Sequence, residues 1–194
     1  MPRKPRTIAA GITYHCYSLC HDKQNLLKTT FGEQIIVESI QMCQEKYKFE
    51  LCGIAVVDNH IHLIIRTLEE GETISRIMQY IKSRIAEKYN RMMYKSGSFW
   101  NGRFKCKIVE EGYRIEDYYP DLILYVAYNP VRKKLCTDPR NTTLNFINCY
   151  LIENYKFPIK ITLHPFFYSL GNTFEECAKK FLWYEERYLK RAAI

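Results

Sequence analysis

Val56-Val57-Asp58-Asn59-His60-Ile61-His62-Leu63-Ile64-Ile65 is an apolar, β-branched run, broken by one polar pair and carrying two histidines a residue apart. β-Branched residues favour strands, and an Asp-Asn pair between two such runs is turn chemistry. The stretch reads as the end of a strand over about Glu50 to Val57, a turn at Asp58-Asn59, and a second strand over about His60 to Thr67. Side chains alternate between the faces of a strand, so His60 and His62 share one face while Ile61 and Leu63 take the other. Two neutral imidazoles at that spacing can hold a divalent ion and leave coordination positions open for a substrate oxygen. A second reading stands beside it: ordinary strand histidines, one of them capped by the turn.

Outward from this hairpin the hydropathy pattern alternates between periods. Upstream, Ile12 to Leu19 alternates as a strand, and about Glu33 to Lys48 carries Ile36, Val37, Ile40 and Cys43 at helical spacing. Downstream, Thr73 is placed to cap a long helix whose stripe is Ile74, Ile77, Met78, Ile81, Ile85 and Tyr89. Lys82, Arg84, Lys88, Arg91 and Lys95 decorate its other sides as a solvated face. A strand at about Arg103 to Glu110 follows, with Arg103, Lys105 and Lys107 on one face and Phe104, Cys106 and Ile108 on the other. The order β-α-β-β-α-β predicts an α+β, ferredoxin-like sheet with helices on one face. A further helix is expected around Ile115 to Tyr128, with Pro120 in its first turn and Asn129-Pro130 as its stop. Residues 1–10 form a basic, proline-punctuated arm, 11–135 the domain, and 136–194 an extension. That extension is irregular at first and then helical from Thr173 to Arg191, with Glu176 at capping-box spacing.

Composition narrows the class of partner. The chain has 194 residues, 29 Lys and Arg against 21 Asp and Glu, and a net charge of +8, which points toward a polyanion. Sixteen tyrosines beside that charge suit stacking on unpaired bases together with phosphate contact. Phe99 and Trp100 are stacking candidates and equally core candidates. No apolar run is long enough to span a bilayer, and the eight cysteines are scattered without a CxxC pair. A cytosolic protein with reduced, mostly buried thiols and no structural zinc is the expectation.

On the helix after the fourth strand, Tyr125 and Asn129 are four apart and share a face. Tyr118, Tyr119 and Tyr128 lie on the same segment. A phenol is largely protonated at neutral pH, so a metal or general base must activate it or polarise its target before it acts as a nucleophile. Imidazoles on a sheet and a tyrosine plus amide on a helix packed against it meet that requirement. A plain packing role for Tyr125 stays open at this level.

Four blocks of the chain resemble one known family. Asp58-Asn59-His60-Ile61-His62-Leu63 is similar to the HUH motif of the single-tyrosine transposases, most closely the repeat-associated (REP-associated) group. Arg3-Lys4-Pro5-Arg6 followed by Gly11-Ile12-Thr13-Tyr14-His15 resembles its basic start and G-x-x-Y-H strand. Phe99-Trp100-Asn101-Gly102-Arg103-Phe104-Lys105 resembles its W-x-G-R-[FY] turn, and Tyr125-Val126-Ala127-Tyr128-Asn129-Pro130-Val131-Arg132 its Y-[IV]-x-x-N-P-V-[RK] block. The family's proline ahead of the motif is replaced by Val57-Asp58, and its Arg-Gly pair after the first strand by Cys20-His21.

The resemblance implies that His60, His62 and Asn129 ligate a divalent ion, Mg2+ or Mn2+ in the family. By ligand type alone, imidazoles suit Mn2+ or Zn2+ better than Mg2+. It implies Tyr125 as the nucleophile that nicks and rejoins single-stranded or hairpin DNA through a 5′-phosphotyrosine link. Arg3, Lys4, Arg6, Arg103, Lys105, Lys107 and Arg132 are the expected phosphate contacts, which position the strand rather than specify it. Two rivals remain: an inactive or domesticated hairpin-binding protein of the same fold, and a metal-dependent hydrolase without a covalent step. Monomer and homodimer are both compatible with the sequence.

Overall fold

The computed structural model describes residues 8–110 and 115–192. Its strands are β1 (Thr13–Leu19), β2 (Glu50–Val57), β3 (His60–Arg66) and β4 (Lys105–Ile108). The helices are α1 (Thr30–Lys46), α2 (Ile74–Met92), α3 (Ile115–Ala127), α4 (Asn129–Arg132), α5 (Pro165–Tyr168) and α6 (Phe174–Ala192). The sheet order is β2-β3-β1-β4 with every neighbouring pair antiparallel, the ferredoxin-like arrangement that the element order predicts.

The hairpin opens where the sequence places it. Val57 pairs with His60 around the Asp58-Asn59 turn, Ala55 with His62, and Tyr17 of β1 with His62 from the other side. Register then sorts the residues. Ile61, Leu63 and Ile65 of β3, with Tyr14 and Cys16 of β1 and Ile54 and Val56 of β2, are buried on one face. The apolar stripes of α1 and α2, which pack side by side, supply the cover there. His15, Tyr17, His60 and His62 share the opposite face, against which α3 and the C-terminal extension pack.

Local chemistry sets the helix ends. Gly32 N–H donates to the Thr29 hydroxyl at 2.9 Å, so α1 starts earlier than the apolar spacing suggests and ends at Lys46. Thr73 caps α2 as expected, accepting from Arg76 N–H at 3.4 Å. The solvated face of α2 is only partly free: Lys88 pairs with Glu38 at 2.6 Å, and Lys82 donates to the Gly102 carbonyl at 2.7 Å.

Three details depart from the sequence reading. β4 is shorter than expected, because Trp100-Asn101-Gly102-Arg103 turns there with Gly102 at φ +70°, and Arg103 precedes the strand. Pro120 lies inside α3, past its first turn, where its missing N–H costs one bond to the carbonyl four residues back. Asn129-Pro130 kinks the chain rather than stopping it. Tyr128 leaves helical geometry at φ −84°, ψ 5°, and Asn129–Arg132 then forms a new turn with the proline at its start, where no N–H is required.

The extension closes over the site face of β2. Asn145 bridges to Ala55 and donates its amide to the Ala127 carbonyl at 2.7 Å. Phe146 lies so close to β2 that a Cβ on Gly53 would meet its ring at 2.8 Å. Gly53 follows a bulge after Leu51, a place where a strand without a side chain admits a ring. Among the described residues no helix is long and apolar enough to cross a membrane.

Candidate active site

Antiparallel register brings three imidazoles, not two, to one patch of the sheet. His60 and His62 project from β3 with ring centroids 5.0 Å apart, and His15 reaches across from β1. His15 Nε2 lies 3.0 Å from His62 Nδ1, so those two rings share a hydrogen bond, while the Asn59 side-chain oxygen Oδ1 accepts from His60 Nδ1 at 2.9 Å. In each of His60 and His62 the Nδ1 is thus engaged. The remaining nitrogen, Nε2, is the lone pair through which a ring can ligate.

Burial keeps these rings neutral. It pushes His62 down to about 2, with electrostatic repulsion from His15, His60 and Arg132 adding to the effect. Burial also lowers His15 to about 4, helped by the Lys107 ammonium across the sheet. His60 is lowered by burial and by Lys133, while a hydrogen bond with the Asn129 side chain pulls it back. Neutral imidazole is the ligating form. Two neutral rings, with the Asn129 amide against one of them, fit a divalent ion as a donor set. Among the described residues no group of three His, Cys, Asp or Glu side chains is arranged to hold a metal ion, and the Asn129 amide is the polar side chain beside His60.

Tyr125 stands opposite. Its ring centroid lies 6.2 Å from that of His62 and 6.0 Å from that of His15, edge-on to both. Both halves of the arrangement come from one chain. The tyrosines on the same segment diverge sharply. Tyr119 is fully buried and stacks on His164 at 3.8 Å, and Tyr128 is buried with its hydroxyl donating to Glu185 at 2.7 Å. Tyr125 is 41% exposed, and Tyr118 also reaches the cleft. Asn129 donates its amide N–H to the Tyr125 carbonyl at 3.2 Å. The Arg132 guanidinium lies 4.5 Å from the Tyr125 ring centre and donates to the same carbonyl at 3.1 Å.

These groups line a cleft of about 980 Å³ whose wall is basic: Lys23, Arg103, Lys105, Lys107 and Lys133 all face it. Arg132, expected among the phosphate contacts, is engaged with Tyr125 and with the Tyr188 ring. Its neighbour Lys133 takes the position on the cleft. Arg3, Lys4 and Arg6 lie outside the described residues. Phe99 and Trp100 are buried, and Trp100 Nε1–H donates to the Lys82 carbonyl at 2.9 Å, so they serve packing rather than stacking on bases.

The sequence reading missed His15 and Tyr188 as members of this patch, while the turn contact that it allowed for one histidine is the one between Asn59 and His60. His15 had a signal: it sits in the Tyr-His pair of a strand predicted to join the same sheet. Tyr188 had none, since it comes from α6 at the far end of the chain.

An antiparallel α+β sheet with imidazoles and an exposed phenol on the floor of a basic cleft defines a class of protein whose site suits a polyanion. Comparison with known proteins carries this further. The family model for transposases of the IS200-like type matches residues 9–119. A Haemophilus influenzae protein that bears the name REP-associated tyrosine transposase is 25% identical over 136 residues, which cover 66% of this chain and 74% of that one. A solved structure of a REP-associated tyrosine transposase bound to a REP hairpin superposes with a TM-score of 0.66 at 19% identity. That superposition covers 84% of this chain and 92% of the solved one. The chain belongs to the IS200-like transposase family, enzymes that act on DNA. The family match includes both strand histidines and stops short of Tyr125.

Proposed function

We propose that this chain nicks and rejoins single-stranded or hairpin DNA by transesterification, with Tyr125 as nucleophile and a divalent ion, Mg2+ or Mn2+, held by His60, His62 and Asn129. The observation that carries the reading is the approach of the exposed Tyr125 ring to the imidazole pair, 6.2 Å from His62 between ring centres within one chain. When bound, the ion supplies Lewis-acid polarisation of the scissile phosphate.

The chain's own residues do the rest. Arg103, Lys105, Lys107 and Lys133 hold the backbone phosphates along the cleft wall, and the arm with Arg3, Lys4 and Arg6 adds further contacts. Asn129 and Arg132 bind the Tyr125 carbonyl, and Arg132 also covers one face of its ring. The Tyr125 oxygen attacks phosphorus and the P–O3′ bond breaks. The phenolic proton ends on the departing 3′-oxygen, which leaves a 5′-phosphotyrosine and a free 3′-hydroxyl. Attack by a second 3′-hydroxyl reverses the exchange and rejoins the strand, so no nucleotide hydrolysis is needed. In this reading 1–10 is a DNA-contacting arm, 11–135 the catalytic domain, and 136–194 an extension that holds α3 in place.

Hairpin DNA labelled at either end, incubated with Mn2+ and resolved under denaturing conditions, tests the proposal. A protein–DNA adduct is expected with the wild-type chain. In His60→Ala cleavage is lost while hairpin affinity stays within a few-fold, because phosphate contacts carry most of the binding. An adduct that survives in Tyr125→Phe and vanishes in Tyr118→Phe would overturn the nucleophile assignment.

A further inference from the structure

We propose that His15 is a positioning residue of the active site: it accepts the Nδ1–H of His62 and thereby fixes the tautomer in which His62 presents its Nε2 lone pair. This rests on the reading of His60 and His62 as ligands.

The argument begins with register. On β1, Tyr17 lies opposite His62 and His15 opposite Ile64, which places the His15 side chain diagonal to His62 on the same face of the sheet. A slip of one residue would send both rings to opposite faces, so strand pairing itself fixes their meeting. The rings are nearly parallel, 19° apart, with centroids at 5.2 Å, and both are more than nine-tenths buried. Their facing nitrogens are 3.0 Å apart.

Two neutral imidazoles joined at one point share a single proton there, which leaves two arrangements. If His15 Nε2–H donates to His62 Nδ1, then His62 carries its own proton on Nε2 and has no lone pair to offer. If His62 Nδ1–H donates to His15 Nε2, then His62 Nε2 is free and His15 carries its proton on Nδ1. Only the second arrangement permits ligation. The neighbouring ligand has a different support, because Asn59 Oδ1 can only accept and so favours the Nδ1–H form of His60.

The two ligands thus rest on unlike supports, an amide oxygen beneath one and a ring beneath the other. His15 is not a third ligand, since its Nε2 is taken up by His62. Hydrogen bonds of this kind to the far nitrogen of a ligating histidine orient the ring and raise its basicity. Their loss costs about 10–100-fold in metal affinity.

Two substitutions separate the hydrogen bond from the packing. His15→Phe keeps a ring beside Tyr125 and removes the acceptor; His15→Gln restores an acceptor oxygen without the ring. Mn2+ affinity of the metal-free protein, followed by the loss of the free-ion electron paramagnetic resonance signal, is expected to fall about 10–100-fold in His15→Phe and to recover most of that in His15→Gln. Nitrogen-15 spectra of the His62 ring in the wild-type protein are expected to show the proton on Nδ1, and in His15→Phe a shift toward the Nε2–H form.

Equal Mn2+ affinity in His15→Phe and wild type would overturn the proposal, as would a wild-type His62 protonated on Nε2. A His15→Gln variant as weak as His15→Phe would assign the effect to packing and overturn it too. If His15→Phe fails to fold, the wild-type ring spectrum and the Gln variant still decide. His60→Ala is the control on the underlying reading: unchanged Mn2+ affinity there would remove His60 as a ligand, a failure distinct from one confined to His15.

Discussion

The two faces of the sheet are made from the same strands and obey opposite rules. Toward α1 and α2, the residues are mostly apolar and closed to water, Ile61, Leu63 and Ile65 among them. Toward α3, His15, Tyr17, His60 and His62 line a basic cleft, and His15 and His62 share a hydrogen bond. The first face derives its stability from burial area and tolerates no loss of volume. The second is built from pairwise contacts whose value lies in orientation. A period of two residues lets one strand serve both purposes, because neither set of side chains meets the other.

Substitutions that respect or violate this division test it. The largest effect belongs to Tyr125→Phe, which removes one exposed hydroxyl. Covalent adduct formation should fall below detection while the melting temperature stays within about 1 °C, consistent with a surface change of under roughly 0.5 kcal/mol. A large drop in melting temperature would show that the phenol belongs to the core instead.

On the other face, Leu63→Ala should lower the unfolding free energy by roughly 2–5 kcal/mol in urea titration, with adduct formation retained by the folded fraction. Between these extremes stands Tyr128→Phe, one helical turn from Tyr125. It strips the buried Glu185 carboxylate of its hydroxyl donor and should cost about 1–3 kcal/mol, though Arg140 still holds that carboxylate.

Acidification probes the buried imidazoles together. His164 accepts Phe166 N–H at Nδ1 and meets the Thr13 hydroxyl at Nε2, 2.9 Å away, and burial lowers it to about 4. Its folded value lies below its unfolded one of about 6.5, so the unfolded chain takes up the proton first. Stability is therefore full above about pH 6.5 and declines as pH falls toward 4, by roughly 1.4 kcal/mol per pH unit for this residue. Urea titrations of the metal-free protein at pH 7 and pH 5.5 should show the loss, with a shallower slope in His164→Gln. Smallest of all is Lys107→Ala, which should leave folding untouched and reduce the salt dependence of hairpin binding by about one counterion.

Much of this was legible in the chain. The order of elements followed from periodicity, because each helix of the β-α-β-β-α-β unit carries one uninterrupted apolar stripe and each strand alternates or is wholly apolar. His60, His62 and Tyr125 were found through spacing and through the resemblance of their blocks to a family. What stayed hidden depends on contacts between distant positions. Nothing near Asn145 announces that its amide will meet the Ala127 carbonyl, and nothing near His15 says which side of β3 it will face until register is known. Asn129-Pro130 misled for a physical reason: the rule that a proline ends a helix says nothing about whether another begins at once. Phe99 and Trp100 were ambiguous because an aromatic ring suits a core and a nucleic-acid base equally well.

The contacts between α6 and the helix that carries Tyr125 bear on what a minimal fragment of this chain could be. Every proposed catalytic side chain lies before residue 135, yet Tyr128 is anchored to Glu185, Asp121 to Arg191, and Ala127 to Asn145. A fragment ending at 135 would keep the full set of reacting groups while exposing the whole back of α3 to water. The chemical unit and the folding unit of this protein therefore have different boundaries.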